Sequence, residues 1–210
     1  GIKSANDAIS AGADIEAILI TNSLYTSKQF VYTEEMPVYV ISDEIFAGLS
    51  DTENPQGVIA VIRKSENRRF IPDLSKAYIF CDHLQDPGNL GTILRIADWF
   101  GIKAVFAAKD TVDVFNPKVV QATMGALSRV KVHYCDLNES LKKISSDIPV
   151  YGTFLDGENI YTQELSPNGV IIMGNEGRGI SYDIAKCVTK KILVPSYPHD
   201  RPTSESLNVA

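Results

Sequence analysis

Three short stretches concentrate residues whose types and spacing can do chemistry. In the first, residues 82–95, Pro87 and Gly88 make a tight turn, Asn89 is expected to cap the following helix, and Gly91 admits a close backbone or ligand. Arg95 stands six residues after Asn89 among Leu94, Ile96 and Ala97. An arginine in so apolar a run should have a partner, unless it is simply the surface residue of an amphipathic helix. The second stretch is Met173-Gly174-Asn175-Glu176-Gly177-Arg178-Gly179-Ile180. Its three glycines allow a backbone path that exposes N–H groups to a ligand. Glu176 in its centre is either a ligand-side carboxylate or a tie to a neighbouring loop. The stretch is neither the G-x-G-x-x-G dinucleotide fingerprint nor a P-loop, and by itself it also reads as a plain strand-to-helix turn. The third stretch opens with Val194-Pro195 and closes with Ser206-Leu207-Asn208, where the Asn side chain either reaches back to a site or only caps a helix.

These stretches need elements to hold them. From residue 1 to 64, β-branched runs at 15–21, 38–42 and 58–62 alternate with helix-like segments, the pattern of a small α/β unit. A charged segment, 65–73, closes with a proline and interrupts the apolar periodicity, so residues 1–66 are expected to form one domain, 67–75 a linker and 76–210 a second domain. In the second domain, strands are expected at 77–82, 104–108, 150–155, 170–173 and 191–194, with helices at 89–100, 117–129, 140–145 and 181–188. Such alternation implies an α/β fold, a parallel sheet with helices on both faces. Ligands of these sheets bind outside the carboxyl ends of the strands, which is where all three stretches fall.

Composition narrows the functional classes. The net charge of −6 over 210 residues argues against a protein that coats nucleic acid indiscriminately, so any RNA contact must be a local patch. Arg63, Lys64, Arg68 and Arg69 are the leading candidates, with Arg129 and Lys131, and Lys190 and Lys191, as further ones. Cys81, Cys135 and Cys187 are far apart and have no neighbouring histidine at ligand spacing, so neither a metal site nor a disulfide framework is expected. No apolar run approaches the roughly 18 residues of a membrane span, and residues 1–14 lack a secretory pattern. No membrane partner is expected, and the cytoplasm is the expected compartment.

Taken together and in this order, the three stretches resemble the three motifs of the SpoU/TrmH branch of the knotted SPOUT methyltransferases. Asn89 and Arg95 match the Asn-x5-Arg of the first motif, residues 174–179 the second, and Val194-Pro195 with Ser206-Leu207-Asn208 the third, over roughly residues 76–210. The resemblance implies a C-terminal deep trefoil knot, an exception to the rule that chains do not thread. It implies S-adenosylmethionine as cofactor, held at Thr153, Gly174, Val194 and Leu207, and a homodimer acting on ribosomal or transfer RNA, more readily the former. The implied reaction is methylation of a ribose 2′-hydroxyl without a metal. Arg95 would contact the RNA phosphate and the attacking oxygen, as base or as electrostatic stabiliser, since a free pKa above about 12 makes guanidinium an awkward base. Asn89 and Ser206 would position Arg95 or the ribose, Glu176 would fix the second loop, and Asn208 would hold the knot's backbone.

Residues 1–66 resemble the ribosomal-protein-like RNA-recognition domain that precedes many members. Residues 196–205 form a longer link than the family's, which would reshape the pocket rim, and the chain is expected to lack residues at both ends. Two other functions are compatible with the fold class. One is a noncatalytic RNA-binding or ribosome-assembly protein, against which the intact motif set speaks; the other is a nucleotide-dependent oxidoreductase, weakened by the missing glycine fingerprint.

Overall fold

A computed structural model describes residues 1–50, 52, 54–64, 73, 75–144, 147–197 and 207–210. It separates into two compact units: Gly1–Glu66 with Met124–Arg129, and Asn67–Thr123 with Val130–Ala210.

In the first unit, α1 (Ile2–Ser10) leads into β1 (Ile15–Thr21), α2 (Asn22–Ser27), β2 (Val38–Ile41), α3 (Asp43–Leu49) and β3 (Val58–Ile62). The sheet order is β2-β1-β3, with β1 parallel to β2 and antiparallel to β3. Alternation along β1 turns Ile18 and Ile20 into a core with Ala5, Leu24, Phe30 and Val58. The helices after β1 and β2 start where a hydroxyl can cap them: Thr21 accepts from the Leu24 amide and Ser42 from the Ile45 amide.

The second unit is a six-stranded sheet in which every pairing is parallel. Its elements are β4 (Ala77–Cys81), α4 (Pro87–Trp99), β5 (Ala104–Ala108), α5 (Pro117–Ala122), β6 (Lys131–Cys135), α6 (Leu137–Lys142), β7 (Val150–Asn159), β8 (Gly169–Met173), α7 (Tyr182–Ala185) and β9 (Lys190–Leu193). Strand order is β6-β5-β4-β8-β7-β9. The chain therefore fans from β4 through β5 to β6, then fills the other side with β7, β8 and β9. Its direction reverses between β4 and β8, and the crevice at the carboxyl ends of these two strands is where such sheets bind ligands. The continuous apolar runs of β4, β5 and β8 suit strands covered on both faces, and they supply Tyr78, Phe80, Phe106, Val170 and Ile172 to the core.

Four elements differ from expectation. Strand β6 was not anticipated, because Lys131-Val132-His133-Tyr134-Cys135 is half polar; it lies at the sheet edge, where its residues are only partly buried. The helix expected at 117–129 stops at Ala122, where positive φ at Met124 (49°) and Gly125 (91°) breaks it. Strand β7 runs on to Asn159 by slipping register against β9 between Thr153 and Glu158, with Gly157 pressed onto the Ile192 backbone. Helix α4 begins at Pro87 instead of Asn89: proline is favoured at the first helical position, and the cap is Asp86, whose carboxylate accepts from the Asn89 amide at 2.9 Å. No helix among the described residues is long and apolar enough to cross a membrane.

Candidate active site

The crevice is built from the residue that follows β4. Asp82 continues the ladder, its amide donating to the Met173 carbonyl of β8, and its side chain is fully buried. One carboxylate oxygen accepts from the Ser181 amide at 2.7 Å, and the other lies 2.5 Å from Nδ1 of His83. His83 has φ +60°, a conformation that residues with a Cβ rarely adopt. This kink turns the following backbone toward β8, so that the amides of Gln85 and Asp86 donate to the Glu176 carboxylate at 3.3 and 3.0 Å.

The glycine loop after β8 closes on itself. Asn175 and Gly179 exchange a pair of backbone hydrogen bonds, both 2.9 Å, and a Cβ on Gly174 would lie 2.4 Å from the Gly179 carbonyl carbon. Glycine is therefore required at 174 by space and at 179 by φ +70°. The Asn175 side chain accepts from the amides of Gly177 and Arg178 and donates to the His83 carbonyl at 2.7 Å. The expectation that the glycines expose amides to a ligand does not hold for two of the three: the amides of Gly177 and Gly179, with those of Asn175 and Arg178, are spent inside the loop.

Asn89 and Glu176 are brought together, the Asn89 amide group donating to Glu176 at 3.1 Å. Asn89 is thus a tie to the second loop and not the helix cap. Burial alone would push the Glu176 carboxyl up, but hydrogen bonds from its own amide, Asn89, Asp86 and Gln85 outweigh it and hold the group below the usual carboxylate range. The anion is the form this site is built to keep.

Arg95 is exposed and makes no hydrogen bond or ion pair with a described residue, so the partner expected for it is not found among the described residues. It shares an exposed stripe of α4 with Ile96, Trp99 and Phe100, the last two 84% and 74% exposed. Thr153 is exposed at the point where β7 leaves its first register with β9, and Gly174 is buried. Val194 and Leu207 present 39% and 69% of their surface to solvent. Among the described residues, Asn208 accepts from the nearby Ala210 amide. Ser206, Arg68 and Arg69 lie outside the described residues, as does most of the 196–205 link.

In the first unit the Arg63 guanidinium is engaged by Asp14 and Glu16 at 3.2 and 2.6 Å, which offsets its charge there; Lys64 beside it is exposed. Four residues of the crevice were missed as site residues: Asp82, His83, Asn175 and Asp110. A signal existed for the first two, an acid followed by a histidine directly after an all-apolar strand. None existed for Asp110, which only the β4–β5 pairing brings near.

Among the described residues no group of His, Cys, Asp and Glu could hold a metal ion. The Cys81 thiol is fully buried and pushed far up by that burial, which removes it as a nucleophile. What the crevice offers is an ordered carboxylate; the exposed Arg95 guanidinium lies further along α4, and the exposed Thr153 hydroxyl and Val194 side chain lie at the β7 register shift and just after β9.

Residues 76–210 match the SpoU rRNA Methylase family, and residues 1–60 match the MRM3-like substrate binding domain. The chain is 33% identical over 175 residues to the 23S rRNA (guanosine(2553)-2′-O)-methyltransferase RlmP of Bacillus subtilis, covering 82% of this chain and 67% of that one. Among solved structures, a TrmH-family protein from Porphyromonas gingivalis superposes with a TM-score of 0.84 at 33% identity, covering 100% of this chain and 82% of the other. An AdoMet-bound rRNA methyltransferase from Sinorhizobium meliloti superposes at 0.80 with 25% identity, covering 100% and 80%. Sequence match, superposition and the joined first and second motifs agree, and the chain belongs to the SpoU rRNA methylase family.

Proposed function

We propose that this chain methylates a ribose 2′-hydroxyl of ribosomal RNA, with S-adenosylmethionine as methyl donor. The observation that carries the reading is the Asn89–Glu176 tie, which fastens the first motif to the second at the point where the sheet reverses. The relatives whose names specify rRNA 2′-O-methylation support the substrate, and the AdoMet-bound neighbour supports the donor. The noncatalytic alternative has no observation in its favour.

The residues present fit the methyl donor. Register sets Gly152 beside Ile172 of β8 and Thr153 beside Ile192 of β9, so Thr153, at the register shift of β7, neighbours the strand ends that lead into Gly174 and Val194. Exposed apolar side chains there, with Leu207, suit the faces of an adenine, and the Thr153 hydroxyl suits a polar edge. When bound, S-adenosylmethionine supplies an activated methyl group; the chain must orient the ribose oxygen, which in favourable intramolecular cases contributes roughly 7–11 kcal/mol. Arg95, uncommitted among the described residues, holds the RNA phosphate and the attacking ribose oxygen. Glu176 holds Gln85, Asp86 and Asn89 so that α4 starts in one orientation. Asn208 and Ser206 belong to the third motif, whose path completes the trefoil knot in this reading.

The reading includes a homodimer, supported by the exposed Ile96, Trp99 and Phe100 on the helix that carries Arg95, and a front domain, residues 1–66, that chooses the RNA, supported by the MRM3-like match. Incubation with S-adenosylmethionine labelled in the methyl group and with unmodified ribosomal RNA, followed by mapping of 2′-O-methyl positions, tests it. Label at one ribose is expected. Label on a base, or none on ribosomal RNA with transfer to transfer RNA, would overturn the reaction or the substrate respectively.

A further inference from the structure

His83 has no place in the motif set, yet it sits where three loops meet. Its ring bridges two carboxylates, Nδ1 lying 2.5 Å from buried Asp82 and Nε2 3.1 Å from Asp110. Its carbonyl accepts from the Asn175 side chain of the glycine loop, and its φ of +60° directs the Gln85 and Asp86 amides at Glu176. A side chain with a Cβ adopts that backbone conformation at a cost, and two carboxylates at one ring help to offset it.

The grip is braced at both ends. Asp82 is fixed by the Ser181 amide. The loop of Asp110 is fixed to the β4 loop by the Thr111 hydroxyl on the Cys81 carbonyl, by the Val112 amide on the Leu84 carbonyl, and by the Gln85 side chain on the Asp110 carbonyl. On its far side the Tyr134 hydroxyl, which burial holds up at about 12, donates to the Val112 carbonyl and accepts from the Val114 amide. The glycine hairpin closes through its own Asn175–Gly179 pair and needs no help from the ring.

We propose that His83 is a positioning residue for methyl transfer: held between Asp82 and Asp110, it sets the backbone that offers Gln85, Asp86 and Asn89 to Glu176, and so aligns the first motif against the second. This rests on the proposed methyltransferase activity. Because Gly174 is held independently, loss of the ring affects turnover and not cofactor affinity.

Three single variants, one double variant and two readouts test it. His83→Gly accepts the positive φ but removes the ring; it is expected to lower kcat about 10- to 100-fold, the cost of a misplacement near 1 Å. The KM for S-adenosylmethionine should stay within threefold. His83→Asn, which tolerates the same φ and can donate one hydrogen bond, should recover part of the rate. Asp110→Asn should lower kcat less than His83→Gly, and the double variant should be no slower than His83→Gly alone, because both remove one grip.

Amide hydrogen exchange is read on the same proteins without cofactor or RNA: Gln85 and Asp86 should exchange at least tenfold faster in His83→Gly while Asn175 and Gly179 are unchanged. Additive losses, a kcat within threefold of wild type with unchanged exchange, or a general rise in exchange across the sheet would each overturn the proposal. Should the wild-type protein transfer no methyl group to RNA, the methyltransferase reading fails, and the exchange arm still decides whether His83 sets this loop.

Discussion

At the scale of single residues, the site separates groups that hold the crevice together from one that is left free to act. Glu176 belongs to the first kind. Its folded carboxyl lies below its unfolded value of roughly 4.3. The stability it contributes is therefore fully present above that value and is lost as pH falls through the folded one. Glu176→Gln, which mimics the protonated form, should cost about 1 kcal/mol at pH 7, where partly exposed charge-assisted hydrogen bonds fall. Urea melts from pH 7 to 3 should show this difference constant down to about pH 5 and closing below about pH 4; a difference independent of pH would mean that the anion is not what the loop holds.

Arg95 is the free group. Arg95→Ala should shift unfolding by less than about 0.5 kcal/mol, as at a surface site with no partner among the described residues. It should also abolish methylation while leaving cofactor affinity unchanged. Arg95→Lys should recover no more than about a tenth of the rate, since a point charge cannot replace a planar fork of donors. Wild-type turnover in either variant would remove Arg95 from the reaction.

At the scale of elements, the site depends on how closely α4 meets α5. A Cβ on Gly91 would lie 2.4 Å from the Ala122 Cβ and 3.0 Å from its carbonyl carbon. In an isolated helix Gly→Ala gains about 1 kcal/mol. Here the overpacking should outweigh that, with Gly91→Ala destabilising by about 1–3 kcal/mol in denaturant unfolding. Ala122→Gly added to it should restore only part, because backbone atoms remain in the way. A Gly91→Ala protein more stable than wild type would show that this approach is loose.

At the scale of the whole molecule, Ile96, Trp99 and Phe100 leave an apolar stripe in water beside Arg95. Two aromatic side chains of this kind bury about 150–250 Å² each when covered. In the proposed homodimer they are covered by the second copy, and Trp99→Glu should convert the dimer to a monomer in sedimentation without lowering the monomer's melting temperature. A dimer that survives this substitution uses another face.

By itself the sequence determined the elements that are apolar throughout and the residues that are unusual where they stand. β4, β5 and β8 are continuous apolar runs, which only strands buried on both faces need, and Asn89, Arg95 and Glu176 stand out by type and spacing. Edge strand β6 escaped that reading because partial burial at the sheet edge lets half its residues be polar. Asn89 was legible as a site residue but not in its role. Its side chain could cap a helix or cross to another loop, and the choice was made by Asp86, which took the cap, and by the β4–β8 pairing, which brought Glu176 within 3.1 Å from 87 positions away. The grip on His83 was decided in the same way. Local sequence specifies local dihedral and burial preferences, whereas the order of strands in a sheet is fixed by long-range pairing, and it is that order that sets Asp82, Asp110 and Asn175 around one ring.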